Sequence, residues 1–453
     1  MLILQKKILP CFAKGLLFFI LYVISNVTLS DPFAYISNRN SNSVSVIDTE
    51  NDLVISTIPV GTAPQFIEVT PNGKFIYVGN AASNNISVIE TDTNTVATTI
   101  PVGRIPHAIA FTPEGDFAYV TNKDDDNVSV IDTSNYTIIK TIPVGYRPAG
   151  IDITPSGKYA YVANELDHEI SIIDIATNMT IGVPIPVPNN PAWLAISPNG
   201  NFVYIPQLSS NTVAVLDTAT NKLAYSITVG PVGSHPGWVI FSPDGTHAYV
   251  SNNSSGTISV IDTTLPPHVV TTIPVGPGPV RPAVTPDGTL LYVPISGNNT
   301  VSIVDTTTNA VINTVPIGLV PWGAVVTPII YTCDGFQSPM NKGSVKVKKN
   351  RALPLKAKLI NSKQQLVTDA NISAAPIIQV NYLSYNEDAV DVSDESIPVG
   401  LGTDGNQFEF KIDTWQYNLS TKNFTAPGTY IVKMVSGNNY LIDSTCEASF
   451  VVE

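Results

Sequence analysis

Cysteine, histidine and charge are all scarce in this chain of 453 residues, and each scarcity removes a class of chemistry. There are three cysteines, Cys11, Cys333 and Cys446, and no CxxCH run, so a c-type haem has no attachment point. The five histidines are too scattered for a multi-histidine copper cluster. No GxSxG, HExxH or phosphate-binding glycine loop is present, so no familiar catalytic motif and no cofactor is implied. Charged residues make up 13% of the chain, with 23 Lys+Arg against 36 Asp+Glu and a net charge of −13. A net-negative body makes nucleic acid an unfavourable partner, because non-specific affinity for it comes from neutralising phosphates.

The first thirty residues have the pattern of a secretory signal peptide. Lys6, Lys7 and Lys14 are basic, Gly15 to Ile24 is apolar, and small or polar residues lead to a cut after Ser30. The apolar run is short for a membrane span. Cleavage would remove three lysines and no acids, moving the net charge from −13 to −16. The expectation is an exported protein, periplasmic, at the cell surface or extracellular. In that setting the remaining pair, Cys333 and Cys446, is most simply a disulfide.

What is present in quantity is repetition. Tyr35, Tyr77, Tyr119, Tyr161, Tyr204, Tyr249 and Tyr292 recur every 42 to 45 residues between Phe33 and Pro328. Such a period means that each unit buries its apolar faces only against its neighbours. In residues 106–145, HAIAFT, FAYVTN, VSVID and TIIKTIPV read as four strands. PEGD is a turn with glycine at positive φ, KDDDN a polar loop, and TSNY a turn in which Asp132 bonds nearby backbone N–H groups. Apolar residues fall on both strand faces, so the sheet must be covered on both sides. Seven such sheets packed radially make an all-β, seven-bladed β-propeller. The chain enters on a second strand (FAYISN, from Phe33) and leaves on a first strand (WGAVVT, to Thr327). Pairing these two closes the ring in a shared blade and leaves no open edge.

The strands YISN, YVGN, YVTN, YVAN and YVSN are followed by VSVIDT, TIPVG and TPDG or TPNG. This pattern resembles the YVTN family of seven-bladed β-propellers of surface-layer and periplasmic proteins, over about 300 residues. The resemblance implies the fold and little about function, since propellers host enzymes, binders and scaffolds alike. After Pro328 the period stops. Alternating stretches such as SVKVKK, LPLKAKLI and GTYIVKMV make residues 329–453 an expected immunoglobulin-like β-sandwich. Lysines near its start suggest contact with an anionic cell-envelope polymer.

Blade-to-blade segments and second-to-third-strand loops should share one face, the mouth of the central channel, with the C-terminal module on the other. Residues 31–328 carry nine Lys+Arg and 23 Asp+Glu, yet Arg104, Arg147 and Arg281 fall in blade-to-blade segments or at inner-strand starts. His107, His235, Trp193, Trp238 and Trp322 occupy the same zone. Together they suggest a cationic, aromatic-lined rim for an anionic small molecule, glycan or protein. Glu68 and Asp152 replace small apolar residues on inner strands and are a second candidate set. The aspartates Asp48, Asp132, Asp174, Asp217, Asp262 and Asp305 recur at one repeat position, which points to turn formation. With no catalytic motif, the leading expectation is a non-enzymatic binding or interaction scaffold. The alternative is a lactonase- or lyase-like enzyme in which the three arginines hold an anionic substrate and His107 or Glu68 moves protons. Single-stranded nucleic-acid binding by the rim is a further alternative.

Overall fold

A computed structural model describes residues 32–336 and, beyond them, separate stretches between residues 345 and 452. The first part is a seven-bladed propeller of four-stranded antiparallel sheets. In the third blade, Pro106–Phe111 is the inner strand, followed outward by Phe117–Asn122, Asn127–Asp132 and Thr137–Pro143. The ring closes as the offset of the repeats requires. Pro321–Val326 is the inner strand of the sheet that contains Phe33–Asn38, Ser43–Asp48 and Leu53–Pro59. Its register runs from Ala34 opposite Val326 to Asn38 opposite Pro321.

The marker tyrosines explain why the blades stay in contact. All seven are buried. The Tyr35 hydroxyl donates to Asn94 Oδ1 at 2.7 Å, Tyr161 to Asn221 Oδ1 at 2.9 Å, and Tyr292 to Asp52 Oδ1 at 3.0 Å. Each acceptor lies in the third-to-fourth-strand turn of the next blade, at a positive φ that Asn and Asp tolerate. Burial pushes Tyr161 up to about 12, so it remains a proton donor across the physiological range. The last of these bonds, Tyr292 to Asp52, joins the seventh blade to the closing one. The recurring aspartates are turn formers, with Asp132 Oδ1 accepting from Ser134 N at 2.9 Å and Asp217 Oδ1 from Thr220 N at 2.8 Å.

A second ring of bonds sets the mouth. Each inner strand opens on a proline, and the residue before it lies in the left-handed region: Ala63, Ile105, Arg147, Asn190, His235, Gly278 and Val320, at φ between 48° and 71°. The carbonyl of each accepts the N–H of the first residue after a second strand, as from Lys123 N to Ile105 O at 3.0 Å and Glu165 N to Arg147 O at 3.1 Å. The two inner strands of the fifth and seventh blades are reduced to Ala195–Ile196 and Ala283–Val284.

Beyond the propeller, Ile329–Phe336 pairs antiparallel with Ala352–Ile360, which pairs with Thr414–Ser420. In a separate sheet Gly428–Val435 lies between Ile377–Leu383 and Glu447–Val452. Residues 1–30, the expected signal peptide, and Cys446, one half of the expected disulfide, lie outside the described residues.

If the inter-blade hydroxyls matter energetically, Tyr161→Phe should lower unfolding stability by about 1 kcal/mol. Tyr77→Phe should cost less, because Tyr136 stands where the next blade otherwise offers an amide. Urea denaturation of the two variants checks this, and equal losses would remove the assigned role.

Candidate functional site

The channel holds two cavities at opposite ends. The one at the mouth is about 650 Å³ and the lower one about 360 Å³. Between them, Phe66, Trp193, Trp238 and Arg281 occupy the same inner-strand position, two residues after the strand-opening proline. Phe66 and Trp193 stack at 5.0 Å with 10° between planes, and the Arg281 guanidinium carbon lies 5.4 Å from the centre of the Trp193 ring. Gly150 permits this layer, since a Cβ there would come within 2.8 Å of the Trp193 Cα.

His107, His235, Trp238 and Trp322 line the mouth cavity together with Lys123 and Glu165. Lys123 Nζ is 2.6 Å from Glu165 Oε2, and both side chains are largely buried. His107 packs against Phe66 with ring centres 4.3 Å apart. Burial, reinforced by the Lys123 and Arg147 charges, drives His107 well below the ordinary histidine range despite an opposing hydrogen bond to the Ala149 carbonyl. The imidazole is therefore neutral. Its Nδ1 is buried without a hydrogen-bond partner. Arg147 Nε, Arg39 Nε and Trp322 Nε1 are likewise buried without partners, and the Arg39 guanidinium carbon lies 5.3 Å from the centre of the Trp322 ring. His235 Nδ1 is 2.7 Å from Ser254 Oγ.

The candidates from sequence thus divide. Arg104 is at the mouth face but turned to the loop after the second strand of the third blade, with Nε 2.6 Å from Asp125 Oδ1 and Nη2 2.5 Å from the Asp124 carbonyl. Arg281 is not on the rim. It lies in the middle layer, where Nη1 donates to the Ile67 carbonyl at 2.6 Å and Nη2 is 2.5 Å from Glu68 Oε2. Trp193 joins it there. Glu68 and Asp152 line the lower cavity. Asp152 Oδ1 accepts from Ile153 N and Oδ2 from Ile196 N, both at 2.8 Å, the second bond crossing to the shortened inner strand of the next blade. Burial lifts Asp152 to about 6, with the Glu68 charge adding to the rise and Arg281 and the two N–H groups opposing it.

Lys123, Glu165 and Arg39 were not singled out by sequence reasoning. They share one repeat position, the residue after the second strand, filled in chain order by Arg39, Ala81, Lys123, Glu165, Leu208, Asn253 and Ser296. The signal was there as a column of unlike side chains inside an otherwise uniform repeat.

Comparison with known proteins bears on what this geometry does. The family model "Lactonase, 7-bladed beta-propeller" matches residues 24–104 and 101–265, more than half of the chain. Among solved structures, the chain is similar to a protein provisionally assigned as a 6-phosphogluconolactonase from Bacteroides uniformis. That likeness has 17% identity and a TM-score of 0.58 over 66% of this chain and 100% of the other. A functionally unknown protein from Desulfotomaculum acetoxidans matches with 18% identity and a TM-score of 0.59, over 65% and 98%. Kuenenia stuttgartiensis hydrazine synthase matches with 23% identity and a TM-score of 0.52, over 67% and 94%. Among curated proteins no match is found. These structural likenesses establish the fold. The family match overturns the expectation of a non-enzymatic scaffold, which rested on the lack of a contiguous catalytic motif. A propeller assembles its mouth from one or two residues per blade, so such a motif need not exist.

The lower cavity yields a pH prediction. Asp152 has a raised value in the fold, about 6 against 3.8 for the free side chain, so its ionisation opposes folding. That penalty is absent below pH 4 and complete above pH 6. Relative to Asp152→Asn, the unsubstituted chain should lose about 2–3 kcal/mol of stability between pH 4 and pH 7. Denaturation of both proteins across that range checks it, and a difference independent of pH would refute the placement of this charge.

Proposed function

Because the chain belongs to the lactonase family of seven-bladed β-propellers, we propose that it is a hydrolase that opens a small anionic cyclic ester in the mouth cavity. The observation that carries this reading is His107, an imidazole held neutral on a cavity wall shared with Lys123. A general base must be unprotonated and within reach of the water it activates. His107 takes a proton from water as the oxygen attacks the acyl carbon. The tetrahedral oxyanion collapses, the ring C–O bond breaks, and the imidazolium returns the proton to the departing alkoxide. The product is a hydroxy acid, and water is the only other reactant. Trp322 lies on the same cavity wall. Lys123, paired with Glu165 on the cavity wall, is the cation that meets the substrate's anionic group, the part assigned from sequence to Arg104, Arg147 and Arg281. A phosphorylated sugar lactone, the substrate type named for the Bacteroides relative, has a suitable charge.

The same reading extends to the two ends of the chain. The basic, then apolar N-terminus supports export, and the YVTN-like strands support a periplasmic or surface setting. Alternation after Pro328 supports an immunoglobulin-like sandwich with a Cys333–Cys446 bridge, whose lysines would meet an anionic envelope.

The test is release of acid from glucono-δ-lactone and from 6-phosphogluconolactone, followed in a pH-stat. His107→Asn should lower kcat by about 10²–10⁴-fold. Lys123→Met should raise KM for the phosphorylated lactone by about tenfold. The rate should hold through neutral pH and fall only below the ordinary histidine range, because protonation removes the base. Turnover unaffected by His107→Asn, or no turnover of any lactone, would end the proposal.

A further inference from the structure

The lower cavity has a different chemistry from the mouth, and lactone opening leaves it unused. Its ionisable wall residues are Glu68, Asp152 and Arg281. Arg281 is bonded through Nη2 to Glu68 and through Nη1 to the Ile67 and Ala324 carbonyls at 2.6 and 3.3 Å, and its Nε is buried. The Glu68 charge is therefore neutralised inside the protein. Asp152 has no such counter-ion. Each of its oxygens accepts one backbone N–H, and a carboxylate has acceptor capacity beyond two bonds. The cavity thus carries one net negative charge. The rest of the wall is apolar, including Phe111, Phe241, Ile240 and Leu194.

We propose that the lower cavity binds a small organic ammonium ion, with Asp152 as its counter-ion and the apolar wall around its substituents. The volume, about 360 Å³, is of the order that encloses a small ligand. One positive charge balances the single free carboxylate, and the apolar wall, which includes Phe111 and Phe241, suits a cation whose other surface is apolar. A hard divalent metal fits poorly. It needs six or more oxygens, and no group of three His, Cys, Asp or Glu side chains converges among the described residues. The proposal also accounts for an aspartate kept where burial opposes its charge, since a bound cation restores the compensation that water would give. The charged groups facing Asp152 are Glu68 and Arg281, and they act in opposite directions on it. The layer of Phe66, Trp193 and Arg281 separates this site from the mouth, so the two can be occupied independently.

Isothermal titration of the full chain with benzylammonium tests it, with benzyl alcohol as the uncharged counterpart. At pH 8 binding should saturate at one ion per chain, and benzyl alcohol should give no saturable signal. At pH 5 affinity should be about tenfold weaker, because Asp152 is then mostly protonated. Asp152→Asn should abolish binding and leave lactone turnover unchanged. Should that variant fail to fold, Ala110→Leu narrows the cavity from another blade with Asp152 intact, and it should weaken binding at least tenfold. No saturable binding of benzylammonium at pH 8, or equal affinity at both pH values and in Ala110→Leu, would overturn the proposal. Neither result would touch the mouth cavity, whose test is lactone turnover.

Discussion

The mouth of this propeller depends on one backbone arrangement repeated seven times: a residue in the left-handed region immediately before each inner-strand proline. Proline disfavours the right-handed helical region for the residue that precedes it, and the left-handed region costs a non-glycine residue about 1–2 kcal/mol. Six of these seven residues are not glycine. The strain persists because the carbonyl so exposed accepts an N–H from the first residue after a second strand in every blade. The same bond thereby fixes two things, the entry of the chain into the channel wall and the place from which a mouth side chain projects. Arg147 and Lys123 stand on the two partner positions of this frame, Arg147 on the strained one and Lys123 on the bonded one.

A symmetric frame carries an asymmetric set of side chains, and the asymmetry creates the chemistry. In the column after the second strands, Arg39 and Lys123 are cations, Glu165 an acid, and the remaining positions neutral. One level down, bulky aromatic rings and Arg281 replace small residues and divide the channel. A level further, Glu68 and Asp152 interrupt small and apolar positions. Arg281 then serves both cavities in a structural role. It neutralises Glu68 and caps carbonyls of the second and closing blades, next to an inner strand cut to two residues. Asp152 does the corresponding work beside the other short inner strand by accepting the Ile196 N–H. The charges that break the repeat are thus placed where the sheet itself is broken.

The fold was legible because periodicity is a property of the chain alone. The tyrosine spacing implied seven units, and the offset between first and second strands implied the shared closing blade. The recurrent aspartates were readable as turn formers because each acts on N–H groups two or three residues away. The site was legible only in part. His107, His235, Trp238 and Trp322 reach the mouth cavity as their position in the inner strands suggested. Arg104 and Arg281 do not, for reasons that sequence position cannot express. Asp125, 21 residues away in the loop, takes the first, and Glu68, on the far side of the ring closure, takes the second. Long side chains choose partners in three dimensions, and repeat phase locates only their Cα atoms.

The same consideration explains how an enzyme family can hide in a repeat without a catalytic signature. Motifs such as GxSxG are contiguous because one turn must position a nucleophile and its oxyanion donors together. In the propeller the frame does that positioning, and each blade contributes one or two residues at a fixed height. The proposed base on the third blade and the cation on its loop need no sequence proximity. What such a site requires is departure from the repeat at the mouth while the tyrosines, turn aspartates and left-handed residues stay constant beneath it. His107 meets that requirement. It sits where the other inner strands carry Gln65, Ala149, Ala192, Gly237, Val280 and Trp322, and its neutral state comes from burial and from cations that the frame brings beside it.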